Sequence, residues 1–558
     1  MPRWRLNIMK NESFLFRRIT YFLMAVFGAG IFAVLTYYSF FYTQYMLPRE
    51  MEKAIDKKDV VWLNCVAFIA FFLIAFIIRY MERRFSDRMK RIAEGLVLCV
   101  SALWILGAGL YWICSLDRIP EGDQAFIYGG ASYFMEGQYS FFSHGGYCQI
   151  YPGQLGQIAL VEMLFRVIGP YRYFAVQVIS VMMAVGIHLL GYYILRELEQ
   201  GFTYRVIYCF LMMGNLPLIC YTSWVYGDLP SVFFLEAAVF AVLRFHRDLK
   251  IRYGLFAVIC FVLAVLTRQN SWIFLVAFLI LGTIYAISFK RIRMLTLCVL
   301  FLGSTLLSSF AIRTTYEIRS GYRIGSGLPI NSWIMMGMQD SRFGSGWYNN
   351  YPKEVAEEAD WDFKEVERQM QEGIRLRLEE FRKKPADAFR FYKNKILSQW
   401  NEPLCQSVFF SAKYMGEDVP KPGSLCFALY YTQEGFFQLL SVADRWHFLI
   451  CLGTFLYFVT AVRSKRQPME YLSAVTVLGG FLFSILWEAK ARYVFPYYMM
   501  MYPMAVMGYG KSAVMFRSFV RRIRDKVSTK RLLEQKRGIT ETEPGSMPEN
   551  VQKTVSDQ

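Results

Sequence analysis

The stretch that decides the fold runs LVLCVSALWILGAGLYWI (96–113) straight into CSLDRIPEGDQAFIYGGASYFMEGQYSFFSHGGYCQIYPGQLGQ (114–157). An uncharged apolar run, long enough to cross a hydrocarbon core of roughly 30 Å, gives way to a polar stretch. That stretch carries acids (Asp117, Glu121, Asp123), a histidine, paired glycines and many aromatics. The pattern predicts a membrane helix whose end carries an elaborate loop. A plain connector needs only a few polar residues, whereas this one is dense with groups able to hold a polar ligand.

Working outward, the same apolar signature recurs. Of 558 residues, 55% are hydrophobic and 19% charged, and the mean hydropathy is +0.27. Apolar runs lie at about 19–42, 60–79, 95–114, 172–195, 204–221, 229–245, 253–267, 270–288, 294–312, 446–462, 470–487 and 493–510. They predict an all-α polytopic membrane protein of about 12 transmembrane helices. The run at 157–168 is too short to span and reads as an interfacial or re-entrant helix. Residues 1–94 hold a transmembrane hairpin and a basic loop, and 95–312 form a core carrying the 115–157 loop. Residues 313–445 read as a small extracytoplasmic insert, 446–510 as closing helices, and 511–558 as a disordered basic tail. The start, MPRWRLNIMKNESFLFRR (1–18), leads into a long run with no small-residue cleavage site, so a retained first helix is expected.

The formal charge is +18. Nucleic-acid binders share such a balance, yet no fold or motif of that class is present, and no nucleic acid is expected as a partner. The excess sits in short segments between apolar runs. Twelve crossings from a cytoplasmic N-terminus put 79–91, 244–252, 290–293, 463–466 and the tail on one side, as the positive-inside rule requires of short loops. Both termini of this multi-pass cell-membrane protein are then cytoplasmic. The outer face receives the Asp123 loop, the 221–228 turn, Arg268, the insert and residues 488–492. The 11 cysteines include no CxxC and no Cys/His cluster at zinc spacing, so neither metal nor cofactor is expected. Cys405 and Cys426 share the insert and could pair in an oxidising compartment.

Within the insert, Trp361, Phe363, Val366, Met370, Ile374, Leu378 and Phe381 recur every three or four residues, predicting an amphipathic helix ended at Pro385. Phe389, Tyr392, Ile396 and Trp400 repeat the pattern. Such helices either lie on a membrane surface or pack in a small outer domain. The glycine-rich stretch before them, GYRIGSGLPINSWIMMGMQDSRFGSGWYNNYP (321–352), reads as a loop able to fold over a site.

Two acids stand at outer helix ends: Asp123 in EGDQAFIYGG (121–130) and Asp228 in YTSWVYGDLPS (221–231). Alone, each reads as a loop acid or helix cap. Together they suggest carboxylates that orient or deprotonate an acceptor hydroxyl. An acid in the first outer loop of a helical core, followed by Ala131 and Glu136-Gly137-Gln138-Tyr139, resembles the integral-membrane glycosyltransferases of the GT-C superfamily. The similarity is to the branch of protein O-mannosyltransferases and lipid A aminoarabinose transferases. QIYPGQLGQI (149–158) resembles that branch's proline step into an interfacial helix, and Asp228 falls where it has a second acid. WEAKARYVFPYYMMMYP (487–503) resembles its Arg-aromatic-Pro lead-in to a late helix.

The resemblance spans about 95–510 and implies a GT-C-like fold with Asp123 and Asp228 as catalytic residues. Where the branch commonly has a Lys before the prolines, this chain has Tyr151. Phosphate recognition then passes to Arg268, Lys490 and Arg492, with His144, Tyr151 and Glu488 as further substrate-binding candidates. The implied reaction moves a sugar, with inversion, from a polyprenyl-phosphate donor in the lipid bilayer to an extracytoplasmic acceptor such as a glycan, lipid or protein of the cell envelope. A carboxylate assists the acceptor and cations stabilise the leaving phosphate. Asp360-Trp361-Asp362 looks like the metal-binding DxD pair of other glycosyltransferases, but it opens the amphipathic helix, where acids favour the dipole. A transporter or flippase of lipid-linked sugars, or a membrane scaffold, is the alternative. Transport needs polar or ionisable groups inside the spans, and this reading finds few, Glu162, Gln177 and His188 at most.

Overall fold

The computed structural model describes residues 3–48, 50–116, 120–413, 424–461 and 467–513, apart from the side chains of 3–18, 412–413 and 430–431. Among these, nine helices are long and apolar enough to cross a membrane, or ten if one bent pair counts as a span. They are Ile19–Phe41, Val61–Arg84, Asp87–Leu116, Tyr173–Glu197, Asp228–Asp248, Gln269–Phe289, Ile292–Ser320, Gln433–Ala461 and Pro468–Leu486.

The expected twelve differ in three places. Phe202–Met213 and Leu216–Ser223 meet at a 54° bend. There Asn215 caps the second piece by accepting from Leu218 N (3.2 Å), and Pro217 offers the helix no donor. Ile251–Thr267 is helical over only 17 residues. Residues 495–513 are helical, but tyrosines, Pro496 and Pro503 dilute their hydropathy. The insert is also shorter than expected, because Ile292–Ser320 runs on past Arg313 and Gln433–Ala461 starts before Trp446. Charged side chains near a helix end reach water without breaking the helix.

The basic segments 79–91, 244–252 and 290–293 share one end of the bundle. Thr203 Oγ1 donates to Glu82 Oε2 (2.6 Å), Arg205 Nη2 to Glu94 Oε2 (3.0 Å) and Arg244 Nη1 to Glu197 Oε1 (2.9 Å). The rings of His246 and Tyr285, 4.7 Å apart, close the same end. The 463–466 segment and the tail beyond 513 lie outside the described residues. The spans bury more ionisable groups than the sequence reading counted, since Glu94, Glu236 and His447 join His188.

The connector after the first helix is a strand pair, Tyr42–Tyr45 with Ile55–Lys58, in antiparallel register Tyr42↔Lys58 to Tyr45↔Ile55. Gln44 N donates to Asn401 O (3.0 Å) and Asn401 Nδ2 to Tyr42 O (2.8 Å), which ties this hairpin to the insert. The first helix packs mainly on Gln433–Ala461, with Phe32 stacked on Phe458 at 5.6 Å, rather than on its sequence neighbour.

In the insert, Asp362 caps Phe363–Lys383 by accepting from Lys364 N (3.0 Å), and Pro385–Trp400 follows. Val366 and Met370 are fully buried with Ile150, Leu328, Met335 and Val355. The N-terminal part of the amphipathic face therefore packs within the insert, where each buried side chain stabilises by about 1.5–3 kcal/mol, whereas Leu378, expected on the same face, is exposed. Phe381 packs on Phe391 and Tyr392, but Phe389, expected on the apolar face, is 73% exposed. Cys405 and Cys426 are both buried and free, so the pairing the sequence allowed is not made.

A Cβ at Gly508 would lie 2.0 Å from the Gly453 carbonyl oxygen, so this glycine lets two helices touch. Gly508→Ala is expected to lower the unfolding temperature of the detergent-solubilised protein by several degrees. An unchanged melting curve would refute that close approach.

Candidate functional site

At the end of the bundle opposite the basic segments, four charged residues from separate helix ends meet. Asp123 opens Asp123–Met135 behind Gly122, whose φ of 57° suits glycine. Asp228 opens Asp228–Asp248, Arg268 follows Ile251–Thr267 in extended conformation, and Arg492 lies in the turn Ala491–Val494. Each helix end turns its charged residue inward.

Asp228 is wholly buried. Its Oδ1 lies 2.9 Å from Arg268 Nη1, an ion pair without hydrogen-bond alignment, and its Oδ2 accepts from Trp224 Nε1 (3.3 Å). Asp123 is different, with a side chain 44% exposed and Oδ2 accepting from Arg492 Nη2 at 3.3 Å. The rings of Tyr226 and Tyr493 each contact both guanidiniums, at 5.7 and 5.3 Å for Arg268 and 5.4 and 5.5 Å for Arg492. Phe410 adds a third face to Arg492 at 5.1 Å. Desolvated contacts of this kind contribute about 2 kcal/mol each. The Nε of each guanidinium is buried and makes no hydrogen bond.

A second layer holds Arg492 from behind. Its backbone N donates to Gln406 Oε1 (3.0 Å), and Gln406 Nε2 donates to Glu52 Oε1 (3.0 Å). The same Glu52 oxygen receives Lys490 Nζ at 3.0 Å. Gln406 sits in a tight turn where Cys405 and Gln406 both have positive φ. Glu402 stabilises that turn by accepting from Leu404 N (3.2 Å) and Gln406 N (2.6 Å).

Arg268, Arg492, Tyr226 and Tyr493 line a cavity of about 470 Å³. Arg268, Arg313 and Arg492 supply its positive charge, Gln269, Tyr151 and Tyr226 its polar lining, and Leu266, Ile312 and Trp333 part of its apolar wall. The glycine-rich stretch does fold over it, since Ile324 to Ser326 and Leu328 line the cavity and Leu328 N donates to Ile150 O (3.1 Å). Glu488 also lines it, accepting from the Tyr493 hydroxyl, and burial pushes its carboxyl above the usual range. The phenols of Tyr147, Tyr151 and Tyr348 are raised by burial, with the Asp123 carboxylate adding to the rise, to about 12 for Tyr348.

Asp123, Asp228, Arg268, Arg492, Tyr151 and Glu488 thus gather around one place. Asp228, expected as catalytic, is sealed against Arg268 and positions it. Lys490 faces Glu52 and the Tyr348 ring (5.4 Å) beside the cavity. His144 is not brought there, because its Nε2 meets Asp360 Oδ1 at 3.0 Å on the exposed rim of the insert. Sequence reasoning missed Arg313, Tyr226, Tyr493 and the Glu402–Gln406 turn. Arg313, charged within a long helical run, and the tyrosines flanking Asp228 and Arg492 were the available signals. Among the described residues no group of three His, Cys, Asp or Glu side chains is arranged to hold a metal. No family model, curated protein or solved structure matches the chain.

Stranding one partner of a buried ion pair costs about 3–5 kcal/mol. Asp228→Ala should therefore lower the unfolding temperature more than the double variant Asp228→Ala/Arg268→Ala. Single-variant losses that simply add would show the pair is uncoupled.

Burial raises Glu402 to about 7, against its backbone N–H donors. The folded chain then binds that proton more tightly than the unfolded chain, so the contribution is present below the unfolded value of 4.5 and lost as pH rises to about 7. Wild-type unfolding temperature is expected to fall across this window more steeply than that of Glu402→Gln. Parallel curves would contradict the assignment.

Proposed function

We propose that this chain is a membrane glycosyltransferase that moves a sugar from a polyprenyl-phosphate donor to an extracytoplasmic acceptor. The observation that carries the reading is the arginine-lined, partly apolar cavity beside the Asp123–Arg492 pair. Guanidinium forks suit a lipid phosphate, while Leu266 and Ile312 on two apolar helices suit its hydrocarbon chain. The sequence resemblance to the GT-C branch supports the same reading.

Asp123, half-exposed and paired with Arg492 of the cavity wall, takes the proton of the acceptor hydroxyl. The acceptor oxygen bonds to the anomeric carbon from the face opposite the phosphate. The carbon–oxygen bond to phosphate breaks, polyprenyl phosphate leaves with the electron pair, and the anomeric centre inverts. Arg268 and Arg492 meet the charge that develops on the leaving group. The basic segments at the other end of the bundle favour an extracytoplasmic cavity in a cell membrane, with cytoplasmic termini.

A transporter or flippase of lipid-linked sugars is the second reading. It is favoured by Glu236, buried within a span with Oε2 lacking a hydrogen bond.

The test is mass spectrometry of envelope glycans and lipid-linked sugars in a deletion strain complemented with variants. Asp123→Asn should restore no transfer and let the lipid carrier accumulate, Arg492→Ala should reduce transfer by about 10²-fold, and Glu236→Gln should restore it fully. Full restoration by Asp123→Asn, with failure of Glu236→Gln, would replace the transferase reading by the transporter.

A further inference from the structure

Among the described residues lining the cavity, Glu488 is the one acid, set against Arg268, Arg313 and Arg492. It is 3% exposed. Its Oε1 accepts from the Tyr493 hydroxyl, whereas its Oε2 makes no hydrogen bond. The basic residues beside it in sequence are committed elsewhere. Lys490 Nζ lies 3.0 Å from Glu52 Oε1, and Arg492 Nη2 donates to Asp123 Oδ2, so neither makes an ion pair with Glu488. The backbone on both sides of Glu488 is fixed, because Trp487 N donates to Phe483 O (2.9 Å) and Ala489 N to Gly346 O (2.7 Å). A buried acceptor left unmatched at a fixed position on a cavity wall is costly until a ligand completes it.

The surroundings decide which ligand group suits it. An anionic group would meet the carboxylate itself, and a cationic group would meet three guanidiniums in the same cavity. A neutral hydroxyl donates to the free oxygen without either penalty, and hydrogen bonds to a charged acceptor are among the stronger ones. Beside Glu488 runs an aromatic series. Trp487 stacks on Trp333 with ring centroids 6.0 Å apart, and Tyr151 lies 6.0 Å from Trp333 on the same wall. The C–H bonds of a sugar ring pack against such side chains while its hydroxyls seek a few well-placed acceptors.

We propose that Glu488, with Tyr151, Trp333 and Trp487, holds the sugar of the lipid-linked donor and selects a neutral, polyhydroxylated ring over a uronic acid or an amino sugar. This rests on the transferase reading and deepens it, since the arginines take the phosphate and Glu488 takes a sugar hydroxyl. Glu488 is then a specificity-determining residue, distinct in role from Asp123, which serves the acceptor.

The test uses the purified full chain in detergent and competition against radiolabelled short-chain polyprenyl phosphate. The competitors are the same lipid phosphate unlabelled and bare, or carrying glucose, mannose, arabinose, glucuronate or glucosamine. At least one neutral sugar should improve affinity over the bare lipid phosphate by about 10–100-fold, and the two charged sugars should not. In Glu488→Gln the side chain still accepts from Tyr493 but loses its charge, and the gain should fall by about tenfold. Trp333→Leu should also reduce the gain, and it carries the test if Glu488→Gln does not fold. The subsite is overturned, with the transferase reading left standing, if bare lipid phosphate binds but no neutral sugar adds affinity. It is equally overturned if the gain survives both variants or is larger for a charged sugar. Failure of every polyprenyl phosphate to bind, bare or loaded, overturns both.

Discussion

Holding two guanidiniums together inside a protein is the constraint on which the rest of this structure depends. Arg268 and Arg492 share the faces of Tyr226 and Tyr493, and like charges so close to one another repel. The repulsion is offset by Asp228 on one side, Asp123 on the other, and the ring faces between. All of these groups stand at helix ends, where a short turn can aim a side chain inward without breaking a helical hydrogen-bond ladder. The two acids divide the work. The buried one fixes an arginine, and the half-exposed one stays open to solvent.

That cluster needs a rigid backing, which comes from parts of the chain far apart in sequence. Glu52, in the connector between the first two helices, binds Lys490 and Gln406, and Gln406 holds the Arg492 backbone. The N-terminal hairpin, which lies outside the sequence resemblance, is therefore part of the site's support. Lys395 pins the insert to the bundle by donating to Gly337 O (2.5 Å) and Ile485 O (2.9 Å). Burial lowers it to about 7, so the carbonyls hold an amine that gives up its proton more readily than a surface lysine. The insert in turn supplies Leu328 and Trp333 to the cavity wall.

The architecture places polar chemistry where a membrane protein can tolerate it. The apolar helices carry their exposed leucines, isoleucines and phenylalanines outward, while the charged residues of the cavity cluster at one end. A cavity with arginines on one side and helix-borne Leu266 and Ile312 on the other is amphipathic in the same sense as a membrane lipid.

The sequence by itself determined the helical membrane class, the position of most spans, the start of the insert's amphipathic helix and the buried stripe of Val366 and Met370. Each of these follows from local composition or from a 3.6-residue period, which needs no knowledge of distant segments. It also marked the residues most relevant to the site, because charges at the ends of apolar runs are costly and therefore conspicuous. What it could not reveal was partnership. Asp123 and Arg492 are separated by 369 positions, and Tyr226 meets Tyr493 only through the arginines between them. The buried role of Asp228, the exposure of Phe389, the rim position of His144 and the bend at Asn215 were likewise decided by tertiary packing. A pattern along the chain reports which face of a helix is apolar, whereas the contact that gives a side chain its function depends on which helix comes to lie against that face.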